Sequence, residues 1–229
     1  MARPVNADAQ ATQAKILSTA YELFASRGID GASIRDIAKG AGVSLAMVHH
    51  YFGSKQGLYE ACITTMIREL GGLWSGVLSM MGTAEMTPAR LIAHAIREGY
   101  RFARDHRTAV RLFQRSLIDT GELDARVRED NVTPFLATAS KVLGELLDQP
   151  AHTLRLPIQS VVFLVVRYSI TSDRDLALLV GARPAEESAD AYNDVEAAPV
   201  SSEGSIADRA VEAHLVSMGL RILGLALPA

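Results

Sequence analysis

The sequence predicts an all-α chain, with a short three-helix head followed by a larger helical bundle. Three observations predict it. Apolar residues recur at spacings of three and four in one segment after another, the period of a helix with one buried side. The breaks between segments fall at glycine, proline and residues that cap helices. The one β-branched run, IQSVVFLVVRYSI at 158–170, is long for a strand and has no second such run to pair with, so it reads as a buried helix. With 229 residues and 48% hydrophobic composition, there is ample material for a core.

The first helix is predicted over 12–27, where Ile16, Ala20, Leu23 and Phe24 form one stripe and Gly28 stands where a terminating glycine belongs. Asp30-Gly31 supplies a turn. Ser33, with Asp36 three residues on, starts a short second helix whose inner side is Ile34, Ile37, Ala38 and Ala41, and Gly40 and Gly42 end it. Ser44 caps a third helix over 45–51, with Val48 and Phe52 facing inward. Gly53-Ser54 breaks the chain, and a long helix runs from Lys55 towards residue 80. Two short helices across a glycine turn are the helix-turn-helix pattern, in which the second is free to enter a major groove. The chain therefore divides into an N-terminal arm and helix-turn-helix over 1–54 and a helical remainder over 55–229.

In that remainder, helices are predicted over 88–105, 107–119, 124–148, 157–179 and 206–226. Pro88 and Pro157 suit first helical turns, whereas Pro134 should kink its helix or delay its start. Residues 181–205 carry six acids, two prolines and few large apolar groups, which predicts a mobile loop.

The stretch GVSLAMVHHYFGSK, residues 42–55, raises three chemical readings. Vicinal His49 and His50 point about 100° apart on a helix and cannot chelate one metal together, and no other histidine lies at ligand spacing. Gly-Ser-Lys has the wrong order for a phosphate loop, and GAGVSL lacks the third glycine and the preceding strand. Lone Cys62 reads as a small buried thiol and rules out a disulfide framework within one chain. No cofactor or metal is expected, and an enzyme built on a helical bundle is the disfavoured alternative. A grip on double-stranded DNA explains the stretch better. Ser44, His49, Tyr51 and Lys55 are clustered donors for phosphate oxygens, and Arg35 carries a fork suited to guanine. Leu45, Ala46 and Met47 suit thymine methyls. The net charge of −3 hides a mild gradient, +1 over residues 1–60 and −4 beyond. The N-terminus lacks an apolar leader and no stretch is long enough to span a bilayer, so a cytoplasmic location is expected.

The pattern ILSTAYELFASRGIDGASIRDIAKGAGVSLAMVHHYFGSKQGLYEA closely resembles the N-terminal domain of the tetracycline-repressor (TetR) family of bacterial regulators. The resemblance spans about residues 12–61, through Phe24, Gly28, Ser33, Ile37, Gly42, Ser44, Tyr51-Phe52, Lys55 and Leu58. It implies a homodimer with DNA-binding heads, and bodies that hold a ligand cavity and the dimer interface. It also implies that Ser33, Arg35, Ser44, Leu45, Ala46, Met47, His49, Tyr51 and Lys55 meet a two-fold symmetric operator. His49 departs from the family's usual tyrosine, and Ala46 from its frequent glycine or proline. A histidine facing phosphate gains charge as pH falls, which predicts tighter DNA binding in mild acid.

Two strongly apolar helices predict the dimer interface: Val161 and Val165 in one, and Val211, Leu215, Met218, Ile222 and Leu225 in the last. Met66, Leu70, Trp74, Tyr100, Phe113, Gln114, Phe163 and Tyr168 are the candidates for lining a cavity, where a small, mostly apolar ligand would release DNA. A DNA-binding regulator without any small-molecule effector is a further reading.

Overall fold

The computed structural model describes residues 5–80, 87–122, 125, 128–182 and 205–226. Among them the chain is all-α, and no strand is present. Its helices group into two compact units, Met1–Gly71 with Thr108–Val132 and Gly72–Arg107 with Thr133–Ala229.

In the first unit, α1 spans Val5–Gly31. It begins earlier than the predicted residue 12, because the alanines and glutamines of the N-terminal stretch favour helix without making an apolar stripe. The predicted stop at Gly28 is a break in helical geometry, with φ 74° and ψ 170°, followed by one more turn. α2 (Ile34–Gly40) starts at Ser33, whose side chain accepts from the Arg35 amide. Gly42 lies in the turn beyond it at φ 66°, a conformation that glycine adopts without steric cost. α3 (Leu45–Phe52) starts at Ser44, which accepts from the Met47 amide. α4 (Lys55–Ser79) starts at Ser54, whose hydroxyl oxygen accepts from the Gly57 amide at 3.0 Å. α6 (Arg107–Thr120) contributes its turns beyond Arg107. Ile16, Ala20 and Phe24 of α1 pack with Ile37, Val48, Leu58, Cys62, Ile63 and Leu112 in one apolar core.

The second unit is built on α5 (Pro88–Asp105), α7 (Thr133–Leu147), α8 (Ala151–Ser169), α9 (Asp173–Leu179) and α10 (Ile206–Ile222). α5, α8 and α10 pack on one another, α7 lies against α8, and α9 against α10. Within the predicted 124–148 helix, residue 125 is helical, Arg128–Val132 form a π-helical turn, and an α-helix follows over Thr133–Leu147 with Pro134 in its first turn. Pro134 stands at the second residue of the α-helix, where its missing N–H is harmless. The predicted 157–179 helix is two helices. Pro157 sits inside α8 rather than at its start, and Ser172 caps α9 after a break at 170–172 by accepting from the Asp175 amide. Of the predicted 181–205 loop, residues 183–204 lie outside the described residues. No single described helix is long and apolar enough to cross a bilayer.

Buried charge concentrates in this unit. Arg104 of α5 is 4% exposed; it donates to the backbone carbonyls of Ser169 and Thr171 and to the Asp173 carboxylate. Its Nε lies 3.1 Å from Asp208 Oδ1, close enough for charge pairing but off line for a hydrogen bond. Asp208 also accepts from the Tyr100 hydroxyl at 2.9 Å and closes the capping box of α10 with Ser205. Burial alone would raise the Asp208 carboxyl, but the Ser205 hydroxyl, the Arg104 charge and the Tyr100 hydroxyl outweigh it and hold the group below the ordinary aspartate range.

Candidate nucleic-acid interface

Val48 fixes the orientation of α3. It is 1% exposed and anchored in the first unit's core, which leaves Ser44, Leu45, Ala46, His49 and His50 on the outside. Met47 and Tyr51 are half-buried at the flanks, with Tyr51 packed against the core and the His50 ring edge-on to it at 5.2 Å. This follows from the sequence: an eight-residue helix has room for one inward position per turn, and here the inward residues are Val48 and the partly buried Phe52.

Ser33 and Ser44 serve first as caps, each accepting a backbone N–H, so each hydroxyl keeps its own proton for a phosphate oxygen. Arg35 is exposed on α2. His49 Nδ1 lies 2.9 Å from the Gly53 carbonyl oxygen, which can only accept, so Nδ1 carries a proton in this contact. Neutral His49 therefore turns an accepting Nε2 outward, and only the doubly protonated ring could donate to phosphate from that side. Lys55 is half-buried, with Nζ 3.5 Å from the Asp30 carbonyl and 3.4 Å from that of Ala32. At those lengths the ammonium is loosely held on the end of α1.

The other expected residues fall in both units. Met66 and Leu70 of α4, and Phe113 and Gln114 of α6, belong to the first unit, where Phe113 packs against the apolar core. Tyr100 is 1% exposed and committed to Asp208, so it presents no surface to a ligand. Trp74 lies against Phe135 at 5.0 Å. Tyr168 stands edge-on to His214 and lines a surface groove of 520 Å³ with Arg167, Leu178 and Leu179. Phe163 is 55% exposed on the outer side of α8.

The residues expected at the interface differ in exposure. Val161, Val165, Val211 and Leu215 are buried in their own unit, while Met218, Ile222 and Leu225 are only partly exposed. Those four buried residues lie in helices that pack on α5 and on each other within the unit. The large apolar groups of this unit that do face outward are Leu156 and Phe163 on α8, seven residues apart and so on one side, Leu178 and Leu179 at the end of α9, and Ile206 at the start of α10.

Cys62 is fully buried, and burial pushes its thiol up to about 12, far from the thiolate a nucleophile needs. Two polar contacts had no signature in the sequence. The Tyr21 hydroxyl donates to the Cys62 carbonyl of α4 at 2.6 Å, and Arg115 of α6 donates to the Ser26 carbonyl of α1 at 3.0 Å.

The chain is similar to known proteins in its N-terminal sequence and in its fold. The family described as bacterial regulatory proteins, tetR family, matches residues 16–62. The transcriptional regulatory protein RaaS of Mycobacterium tuberculosis is 46% identical over 57 residues, which are 25% of this chain and 26% of that protein. The regulator BetI of Yersinia pestis is 40% identical over 72 residues, 31% of this chain and 35% of that one. The chain thus covers about a quarter to a third of these relatives' lengths. A TetR-like transcriptional regulator from Rhodococcus sp. RHA1 has a similar fold, with TM-score 0.59 and 18% identity over 98% of both chains. The ketosteroid regulator KstR2 of Mycobacterium tuberculosis is similar at TM-score 0.58, 16% identity and 93% of both chains.

Proposed function

We propose that this chain, which belongs to the tetR family of bacterial regulators through its N-terminal domain, is a sequence-specific DNA-binding repressor that acts as a homodimer in the cytoplasm. One observation carries the reading: α3 is anchored by Val48 and turns Ser44, Leu45, Ala46 and His49 outward, donors and small apolar groups together on one exposed side. A duplex offers phosphate rails flanking base edges, and such a side can meet both.

A second copy accounts for the outward apolar groups of α8 and α9, which would otherwise face water. Two heads then read a two-fold operator at a spacing set by the dimer. Release by a small, mostly apolar ligand fits the path of α4, a single helix whose early turns build the first unit and whose last turns belong to the second. A ligand can act this way only by favouring the conformation with weak DNA affinity. A regulator without an effector is the second reading, since Tyr100, one of the expected lining residues, is buried and already bonded to Asp208. A thermal-shift panel of apolar ligands separates the two.

Selection from a random duplex pool tests DNA binding. The enriched site should be two-fold symmetric, and affinity should fall steeply with salt. Lys55→Ala should weaken all duplexes alike and reduce the log–log salt slope by about 0.9, whereas Arg35→Ala should relax sequence preference at one position. No enrichment at low ionic strength would end the proposal.

A further inference from the structure

Polar contacts in the first unit gather on the connection between α1 and α2. A helix leaves its last carbonyls without intrahelical donors and carries partial negative charge there, so cations near its C-terminus are stabilising. Ser26, two residues before the break at Gly28, has its carbonyl met at 3.0 Å by Arg115 Nη1 from α6. The guanidinium lies over Gly28 itself: a Cβ built there would sit 3.2 Å from Arg115 Nε and 3.5 Å from Cζ. Glycine is thus suited to the position twice, by its φ of 74° and by the side chain resting on it. Further along the same connection, Lys55 of α4 lies over the Asp30 and Ala32 carbonyls, and Arg27 pairs with Asp36 of α2 at 3.3 Å. Side chains from α1, α4 and α6 therefore converge on residues 26–36, the stretch that delivers Ser33 and Arg35.

Arg115 differs from the other two. It comes from a helix far along the chain from the helix-turn-helix, and the first residue of that helix, Arg107, belongs to the other unit. Resting on the DNA-binding reading above, we propose that Arg115 is a positioning residue for it. By capping α1 it holds the α1–α2 connection in the one conformation in which Ser33, Arg35 and α3 engage a duplex together. A charge-assisted hydrogen bond to a carbonyl is among the stronger single contacts available for this. Without it the connection samples other arrangements, and apparent affinity falls by the fraction that remains competent.

The test uses the full chain and the duplex that the wild type enriches from a random pool, with binding followed by fluorescence anisotropy across a salt series. Arg115→Ala and Arg115→Gln should each weaken binding about tenfold, the loss expected if a tenth of the molecules stay competent. The salt slope should stay at the wild-type value, the melting midpoint should fall by only a few degrees, and amide exchange should quicken at residues 29–36. Arg115→Lys should recover part of the affinity, because an ammonium can still meet the carbonyl but cannot lie flat on Gly28. Wild-type affinity in a folded Arg115→Ala variant would overturn the inference. So would a salt slope reduced by about 0.9, which would make Arg115 a phosphate contact. Should Arg115→Ala melt early, Arg115→Gln carries the same comparison, and equal early melting with no recovery by lysine also counts against the proposal. Failure of the wild type to enrich any duplex would defeat the DNA reading and this inference with it, whereas enrichment with unaltered variants defeats this inference alone.

Discussion

The two units bury different chemistry. The first unit's core is apolar, from Ile16 and Phe24 to Val48, Leu58 and Leu112, and its ion pair Arg27–Asp36 is half exposed on both sides. The second unit holds every buried polar or charged residue among those described: Arg104, Ser140, Ser169 and Asp208. An apolar core rewards any close fit, so in the first unit shape selects the partners. A buried arginine tolerates few arrangements, because each donor must find an acceptor or lose its hydration uncompensated. In the second unit, charge decides that the α8–α9 turn, α9 and the start of α10 meet α5 where they do.

Substitutions at the two centres should sharpen that contrast. Arg104→Ala strands Asp208 in the interior and should cost about 3–5 kcal/mol. Phe24→Ala empties a fully buried site in the first unit and should cost about 3–5 kcal/mol by loss of transfer energy and a cavity. The two losses differ in how they are repaired. Adding Asp208→Asn to Arg104→Ala should restore part of the stability by removing the stranded charge, while only a bulky apolar side chain such as leucine repairs Phe24→Ala. Urea titration followed by Trp74 fluorescence reads the second unit, where that tryptophan lies against Phe135. A loss below about 0.5 kcal/mol for Arg104→Ala, the ordinary surface value, would break the contrast.

Asp208 supplies a pH signature. Its folded value lies below the unfolded value of about 3.9, so the folded state binds fewer protons than the unfolded state in acid. The stability it contributes is fully present above the unfolded value and is lost as pH falls through the folded one. Wild-type protein should therefore lose second-unit stability on the acid side of about pH 4, and Asp208→Asn should flatten that limb while lowering stability at neutral pH. Parallel acid limbs in wild type and variant would remove Asp208 from the account.

How much of this was legible beforehand follows from the range of each interaction. The head could be read because its breaks are local: Ser33 and Ser44 cap within three residues, and Gly28 and Gly42 mark their turns by backbone geometry alone. The direction in which α8 faces could not be read. Its apolar groups lie on opposing sides, Val161 and Val165 inward and Leu156 and Phe163 outward, and periodicity does not say which side meets a neighbour. Nor could the long-range caps be read. Arg104 looks like one of several arginines along α5, and Arg115 has no local pattern that names Ser26, because the partner of a charged side chain is set only once the helices have packed.

The smallest expected effect tests the comparison from the other direction. Arg27 and Asp36 are each 52% exposed, so water and salt screen their attraction and two long side chains lose rotamer freedom in holding it. Arg27→Ala should change stability by less than about 0.5 kcal/mol at low salt and by nothing measurable at high salt. Measured beside Arg104→Ala, this separates the sign of a charge from its surroundings, since both variants remove an arginine from an aspartate. If Arg27→Ala instead cost as much as Arg104→Ala, at high salt as well as low, the first unit too would depend on charge for its fold, and burial would no longer explain why only one of the two units does.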